Sequence, residues 1–153
     1  MKHITKFAAA AAVTLAFATG GASLAAAEVI EVKMLNFNPD DPSQVMVFEP
    51  QVVRANPGDT IRFVSVDAFH NSKSIEGMIP DGAEAWESPI SENFEVVVNE
   101  EGTYGYLCVP HQLMGMAGLI LVGDYTKNLD AVKALQHDGM LQLRFDALFA
   151  ELQ

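Results

Sequence analysis

The chain has 153 residues, 50% of them hydrophobic, with 20 acidic and 9 basic side chains and a formal charge of −11. That length suits one domain with a substantial core. The acidic excess argues against nucleic acids and anionic membrane surfaces as partners, because both attract basic proteins.

The N-terminus has the pattern of a secretory signal peptide over residues 1–27. Two lysines precede an apolar run at 7–17, and three alanines at 25–27 supply the small residues that precede cleavage. The apolar run is too short to span a bilayer. We therefore expect cleavage before Glu28, a periplasmic location and a single domain over 28–153. Loss of the two lysines leaves seven basic and 20 acidic side chains, a charge of −13.

Most of the remaining chain has the pattern of short β-strands. Seven segments alternate apolar and polar residues or are continuously apolar: 29–35, 46–50, 51–55, 60–66, 93–99, 102–108 and 117–123. Turn residues separate these segments, and this spacing favours an all-β sandwich. Residues 71–90 show little periodicity, so we expect a long connection there, with a short helix near 75–78.

The C-terminal part changes to a helical pattern from about residue 126. Leu129, Val132 and Leu135 recur at every third position, and a second apolar stripe follows between Leu141 and Leu152. A break at 137–139 separates the two patterns. We therefore expect two C-terminal α-helices.

Cys108 is the only cysteine, which is unusual in an exported protein, where cysteines are normally paired. Three explanations are open: a buried inert thiol, an intermolecular disulfide or a metal thiolate. His111 and two methionines follow within eight residues, and His70 lies 38 residues upstream. The presence of these potential metal ligands favours the metal thiolate.

The residue types point to a mononuclear copper site. Two imidazoles, one thiolate and a weak thioether are the donors of copper electron-transfer centres, whereas zinc rarely accepts a thioether. Cys108 follows one predicted strand and Met116 precedes the next, so the loop between them can fold its donors toward one point. From the residues alone, either Met114 or Met116 can be the axial donor. Asn71 is a candidate to hold the ligands, through its backbone N–H and its side chain.

Segments along nearly the whole mature chain resemble the pseudoazurins, type 1 blue copper proteins of the cupredoxin family. The matching segments are 34–36, 46–50, 55–60, 70–71, 78–80, 82–84, 108–111 and 114–116. The resemblance implies a Greek-key sandwich of about eight strands with two C-terminal helices. It also implies that His70, Cys108, His111 and Met116 bind one copper ion.

The resemblance further implies a soluble, monomeric electron carrier that exchanges electrons through an apolar patch around His111. A denitrification reductase such as nitrite reductase, or a c-type cytochrome, would be its partner. Many pseudoazurins ring this patch with lysines, but here the matching positions are the apolar Phe37, Ala68 and Leu107. We therefore expect docking by apolar contact or with a basic partner.

Three rival functions remain. A periplasmic copper-binding or delivery protein would more often use methionine-rich or solvent-open cysteine sites. An enzyme would need a second metal site with more histidines, and only His137 remains to build one. A metal-free sandwich would leave four correctly typed donors unexplained.

Overall fold

The computed structural model describes residues 26–152, which form eight strands in two sheets followed by two helices. The first sheet, in the order β2-β1-β4-β6, contains β1 Val29–Phe37, β2 Val45–Glu49, β4 Asp59–Ser65 and β6 Phe94–Val98. The second sheet, in the order β3-β8-β7-β5, contains β3 Val52–Ala55, β5 Lys73–Ser74, β7 Gly102–Leu107 and β8 Ala117–Val122. The helices are α1 Leu129–Ala134 and α2 Gly139–Ala150. The predicted sandwich with two C-terminal helices is confirmed.

Both sheets are mixed. β1 pairs with β4 in parallel, β3 pairs with β8 in parallel, and every other pairing among the described strands is antiparallel. In β1 the apolar side chains of Val32 and Met34 are fully buried between the sheets, while Glu31 and Lys33 face outward. The period-two pattern therefore sets which face of the first sheet meets the core.

β8 is apolar throughout because both of its faces are covered. Ile120 and Val122 belong to the core between the two sheets, whereas Leu119 and Leu121 belong to a second cluster on the outer face. The helical tail supplies that second cluster with Val132, Phe145 and Leu148, all buried. The two C-terminal helices thus close the outer side of the second sheet.

The predicted helix near 75–78 is wrong. This segment follows β5 as a turn, in which Met78 N–H donates to the carbonyl of Ile75 at 3.0 Å. Gly105 on β7 then exchanges backbone hydrogen bonds with both residues, accepting from Ile75 at 3.0 Å and donating to Met78 at 2.7 Å. The chain is held against the sheet edge, and Met78 is buried over Gly105.

The predicted signal peptide lies outside the described residues, apart from its last two positions. Within residues 26–152, no helix has the length and apolar character needed to cross a membrane.

Candidate metal centre

Three side chains from two separate segments converge at one end of the sandwich. His70 follows β4 after a short loop, and Cys108 and His111 follow the end of β7. The distance between the two Nδ1 atoms of His70 and His111 is 3.1 Å, and Cys108 Sγ lies 3.8 Å and 3.5 Å from them, respectively. Two imidazole nitrogens and one sulfur therefore share a single small space, and this donor set suits copper.

The loop between β7 and β8 is closed by its own backbone. Cys108 N–H donates to the carbonyl of Met116 at 2.9 Å, and His111 N–H donates to the carbonyl of Cys108 at 3.2 Å. Met116 N–H in turn donates to the carbonyl of His111 at 3.3 Å. These bonds hold both ends of the loop beside each other, as the strand pairing predicts.

The two methionines of this loop differ in burial. Met116 is fully buried and belongs to the same core cluster as Cys108. Met114, on the 3₁₀ turn Gln112–Met114, is 44% exposed. The burial of Met116 beside the cysteine favours it over Met114 as the thioether donor.

Asn36, near the end of β1, determines which nitrogen of His70 is free. Its Oδ1 lies 3.1 Å from Nε2 of His70, and an amide oxygen can only accept, so Nε2 carries the proton. The lone pair of Nδ1 then faces Cys108 and His111, as a metal ligand requires. Burial, followed by the charge of His111, lowers the pKa of His70 and favours this neutral form.

The Cys108 thiol is free and buried. Burial raises its pKa, while the backbone N–H groups of Asn71 and His111 act in the opposite direction. A bound cation is what converts such a thiol to a thiolate at neutral pH. Complete burial leaves no surface on Cys108 for an intermolecular disulfide.

Asn71 connects the two ligand segments. Its Oδ1 accepts a hydrogen bond from Val109 N–H at 2.8 Å, and its Nδ2 donates to the carbonyl of Ser88 at 3.2 Å. The predicted side-chain link between the His70 and Cys108 segments is confirmed. His137, the remaining histidine of the predicted mature chain, packs in the tail with its ring 4.7 Å from Phe145.

His111 is the donor residue nearest to solvent. It is half-buried, whereas His70 and Cys108 have no exposed surface. Exposed apolar residues occur on the loops that carry the three donors and on the end of β1: Phe37, Ala68, Phe69, Pro110, Leu113 and Met114. The expectation that Leu107 belongs to the exposed patch is wrong, since Leu107 is 9% exposed and packs in the cluster under the helices.

Two residues that hold the site were not predicted from the sequence. Asn36 is a polar residue near the end of the alternating strand β1, on the same face as the buried Val32 and Met34 and 34 positions from the histidine that it contacts. Arg144 lies on α2 and donates from Nε to the carbonyl of Gly115 in the ligand loop at 2.9 Å. A polar residue at a core-facing position of an alternating strand is a weak signal for Asn36. The sequence gives no signal for Arg144.

A family model described as copper-binding proteins of the plastocyanin/azurin family matches residues 35–123. The chain belongs to the plastocyanin/azurin family. Among curated members, the pseudoazurins of Methylorubrum extorquens and Paracoccus pantotrophus are each 45% identical to it. These alignments cover 94% and 95% of this chain, respectively, and 95% of each relative.

Solved structures of pseudoazurins have the same fold as this chain. A Sinorhizobium pseudoazurin has a TM-score of 0.78 at 44% identity and covers 82% of this chain and 97% of its own. The Methylobacterium extorquens protein has a TM-score of 0.76 at 44% identity and covers 82% and 99%. The resemblance to pseudoazurins is confirmed. As a member of the plastocyanin/azurin family, the chain is a copper electron carrier and not an enzyme.

Proposed function

We propose that His70, Cys108, His111 and Met116 bind one copper ion, and that electrons enter and leave through His111. The observation that carries the proposal is the convergence of the three donor atoms at 3.1 to 3.8 Å beside a buried methionine. When bound, copper supplies a one-electron couple between Cu(II) and Cu(I). The protein provides the donors and forms no bond to a substrate.

Hydrogen bonds within the protein hold these donors in place. Asn36 fixes the ring of His70, Asn71 joins the two ligand segments, and backbone bonds close the loop that carries Cys108 and Met116. Preorganised donors need little rearrangement when the charge of the site changes, and a small rearrangement favours fast electron transfer.

The exposure of the donors favours His111 as the electron port. Its imidazole is half-buried, while the other two donor side chains are fully covered. A partner that docks over Leu113 and Met114, both exposed on the same loop, would approach His111 without an intervening protein layer. Transient redox complexes bury small areas, so such a limited apolar face is sufficient.

We further propose that the protein acts as a monomer in the periplasm. The signal-peptide pattern of residues 1–27 supports export, and −13 on the mature chain favours a self-repelling, soluble molecule. The pseudoazurin resemblance favours a denitrification reductase such as nitrite reductase as acceptor, and a c-type cytochrome as an alternative partner.

Copper delivery is the second candidate function. The single fully buried thiol argues against it, because exchangeable Cu(I) sites are open to an incoming ligand. The two functions differ in what leaves the protein at each encounter, an electron or the metal.

The experiment mixes the reduced, copper-loaded protein with a copper-containing nitrite reductase in a stopped-flow instrument. An electron carrier reoxidises in seconds or less, keeps its copper and can be reduced again for many cycles. Transfer of copper to the reductase or to a Cu(I) chelator on the same timescale, without reversible cycling, would replace electron transfer by delivery.

A further inference from the structure

We infer that Arg144 is a positioning residue for the copper site: it clamps the peptide between Gly115 and Met116 and so fixes the thioether of Met116 relative to Cys108. The inference rests on the proposed role of Met116 as a ligand. Arg144 lies in the middle of α2, 29 residues beyond the glycine that it contacts.

The peptide plane between Gly115 and Met116 is held from both sides. On one side, Arg144 Nε donates to the Gly115 carbonyl at 2.9 Å. On the other side, the N–H of Met116 donates to the carbonyl of His111 at 3.3 Å. The bond from the guanidinium is shorter and charge-assisted, so it is the stronger of the two. Rotation of this plane would move the Met116 side chain directly.

Gly115 leaves no room for the loop to shift toward α2. It adopts a left-handed conformation with φ 75°, and a Cβ at this position would lie 2.7 Å from the backbone oxygen of Met140 in the first turn of α2. Only glycine tolerates both conditions. The loop therefore rests against the helix at Gly115, and Arg144 holds the carbonyl of the same residue.

Arg144 is itself anchored to the sheet. Its Nη1 donates to Gln51 Oε1 at 2.9 Å, and the carbonyl of Gln51 accepts from Leu119 on β8 at 2.9 Å. The side chain of Gln51 also donates to Gln44 at 2.7 Å. The guanidinium thus joins the helix, the ligand loop and the turn between β2 and β3.

No carboxylate among the described residues, 26–152, forms an ion pair with Arg144. The four ion pairs found among residues 26–152 involve Arg62, Lys73 and Lys127, and Arg144 is half-buried. Burying a guanidinium is costly unless its donors are satisfied. The guanidinium of Arg144 instead donates to the Gly115 carbonyl of the ligand loop and to the side-chain amide of Gln51. Its role in holding the ligand loop explains why a charged side chain occupies this half-buried position.

The test compares Arg144→Lys and Arg144→Met with Lys133→Met, which removes one exposed positive charge from the same helical tail. Lysine keeps the charge but cannot reach both oxygens with a planar fork. Two readouts are used: amide hydrogen exchange of the metal-free protein, and the reduction potential and Cu(II) paramagnetic resonance spectrum of the copper-loaded protein.

We expect the Met116 amide to exchange on the order of tenfold faster in both Arg144 variants, because a charge-assisted bond is lost. Amides of β4 should exchange at the wild-type rate. The potential and the spectral rhombicity should shift in both Arg144 variants and stay at wild type in Lys133→Met. Gln51→Leu removes the anchor of Arg144 together with the hydrogen bond to Gln44, and should shift the same quantities less. This variant takes the place of an Arg144 variant that fails to fold.

Wild-type exchange at Met116 in Arg144→Lys would overturn the inference. Faster exchange of the Met116 amide with an unchanged reduction potential would also overturn it. A third contradicting result is a potential shift that occurs in Arg144→Met and Lys133→Met but not in Arg144→Lys, since that pattern is a charge effect. A wild-type protein without a thiolate–copper spectrum would contradict the proposed function instead, and the metal-free exchange result would still stand on its own.

Discussion

Asn36 is the residue whose removal tests the orientation of His70. Asn36→Ala leaves Nε2 of His70 without its acceptor, so the ring can rotate and the proton can move to Nδ1. Loss of such a supporting bond typically lowers metal affinity by about 10–100-fold, and we expect a loss in that range. Competition with a Cu(I) chelator measures it. Asn99→Ala, at an exposed turn, is the control, and equal affinities for the two variants would contradict the role of Asn36.

Substitution of each methionine of the ligand loop shows which one is the thioether donor. Met116→Leu removes a weak donor that stabilises Cu(II), so the reduction potential should rise and the visible spectrum should change. Met114→Leu replaces an exposed side chain and should leave both unchanged. Cyclic voltammetry and absorption spectra of the two proteins decide between them. The opposite pattern would assign the thioether to Met114.

At the level of single residues, the sequence predicted that His70, Cys108 and His111 lie together, and the structure brings them together. The choice of Met116 over Met114 as a donor needed the pseudoazurin resemblance and stays a prediction, and of the supporting residues only Asn71 was predicted. Cys108, His111 and Met116 lie within nine residues, and a loop between two strands must bring them together. Asn36 and Arg144 act across 34 and 29 residues, and such contacts depend on how the elements pack. No local pattern encodes that packing.

Among the structural elements, β4 depends on a buried carboxylate at its first residue. Asp59 accepts hydrogen bonds from the N–H groups of Glu28 at 2.8 Å and Asn56 at 2.7 Å. These bonds hold the pKa of Asp59 below its ordinary value. A lowered folded-state pKa stabilises the fold above the unfolded pKa of about 4, and this stability is lost as pH falls through the folded pKa.

Asp59→Asn should lower the free energy of unfolding at pH 7 by about 1–3 kcal/mol, because the amide can accept only one of these bonds and faces the other N–H with its own donor. The difference from wild type should shrink as pH falls below about 4, where the carboxyl of the unfolded wild-type chain is protonated while that of the folded chain is still ionised. Urea denaturation of both proteins at pH 7 and below pH 4 measures this difference in the free energy of unfolding. The control is the exposed Asp81→Asn, and a difference that grows on acidification would contradict the assignment.

The strands were predicted better than the connections between them. β4 is shifted by one residue from its predicted bounds and β8 ends one residue earlier than predicted, since period-two and continuous apolar patterns are strong signals. β5 was missed because it has only two residues. The apolar pair Ile75 and Met78 mimicked a helical spacing, but its backbone bonds go to Gly105 on β7. Sequence spacing cannot reveal such a partner.

At the scale of the whole molecule, an acidic protein presents an apolar face around His111, the proposed electron port. Leu113 is 85% exposed and Phe69 is 73% exposed, and no lysine or arginine lies between residues 107 and 123. Steered association falls by about 10- to 1000-fold at high ionic strength when charges guide docking. An apolar face lacks this contribution.

We therefore expect the second-order rate of electron transfer to a nitrite reductase to change by well under tenfold between about 10 mM and 200 mM salt. Leu113→Ser should lower the rate several-fold at every salt concentration because apolar contact is lost. Val97→Ser, exposed on β6 away from the ligand loops, is the matched control. A steep salt dependence of the wild-type rate would show that charge guides docking.

The donor convergence at His70, Cys108 and His111 is most directly tested by the visible absorption and paramagnetic resonance spectra of the mature protein after addition of Cu(II). We predict one copper ion per chain and an intense thiolate-to-copper band that disappears in Cys108→Ala. A protein that stays colourless with cupric ion, or a band that survives in Cys108→Ala, would contradict the account.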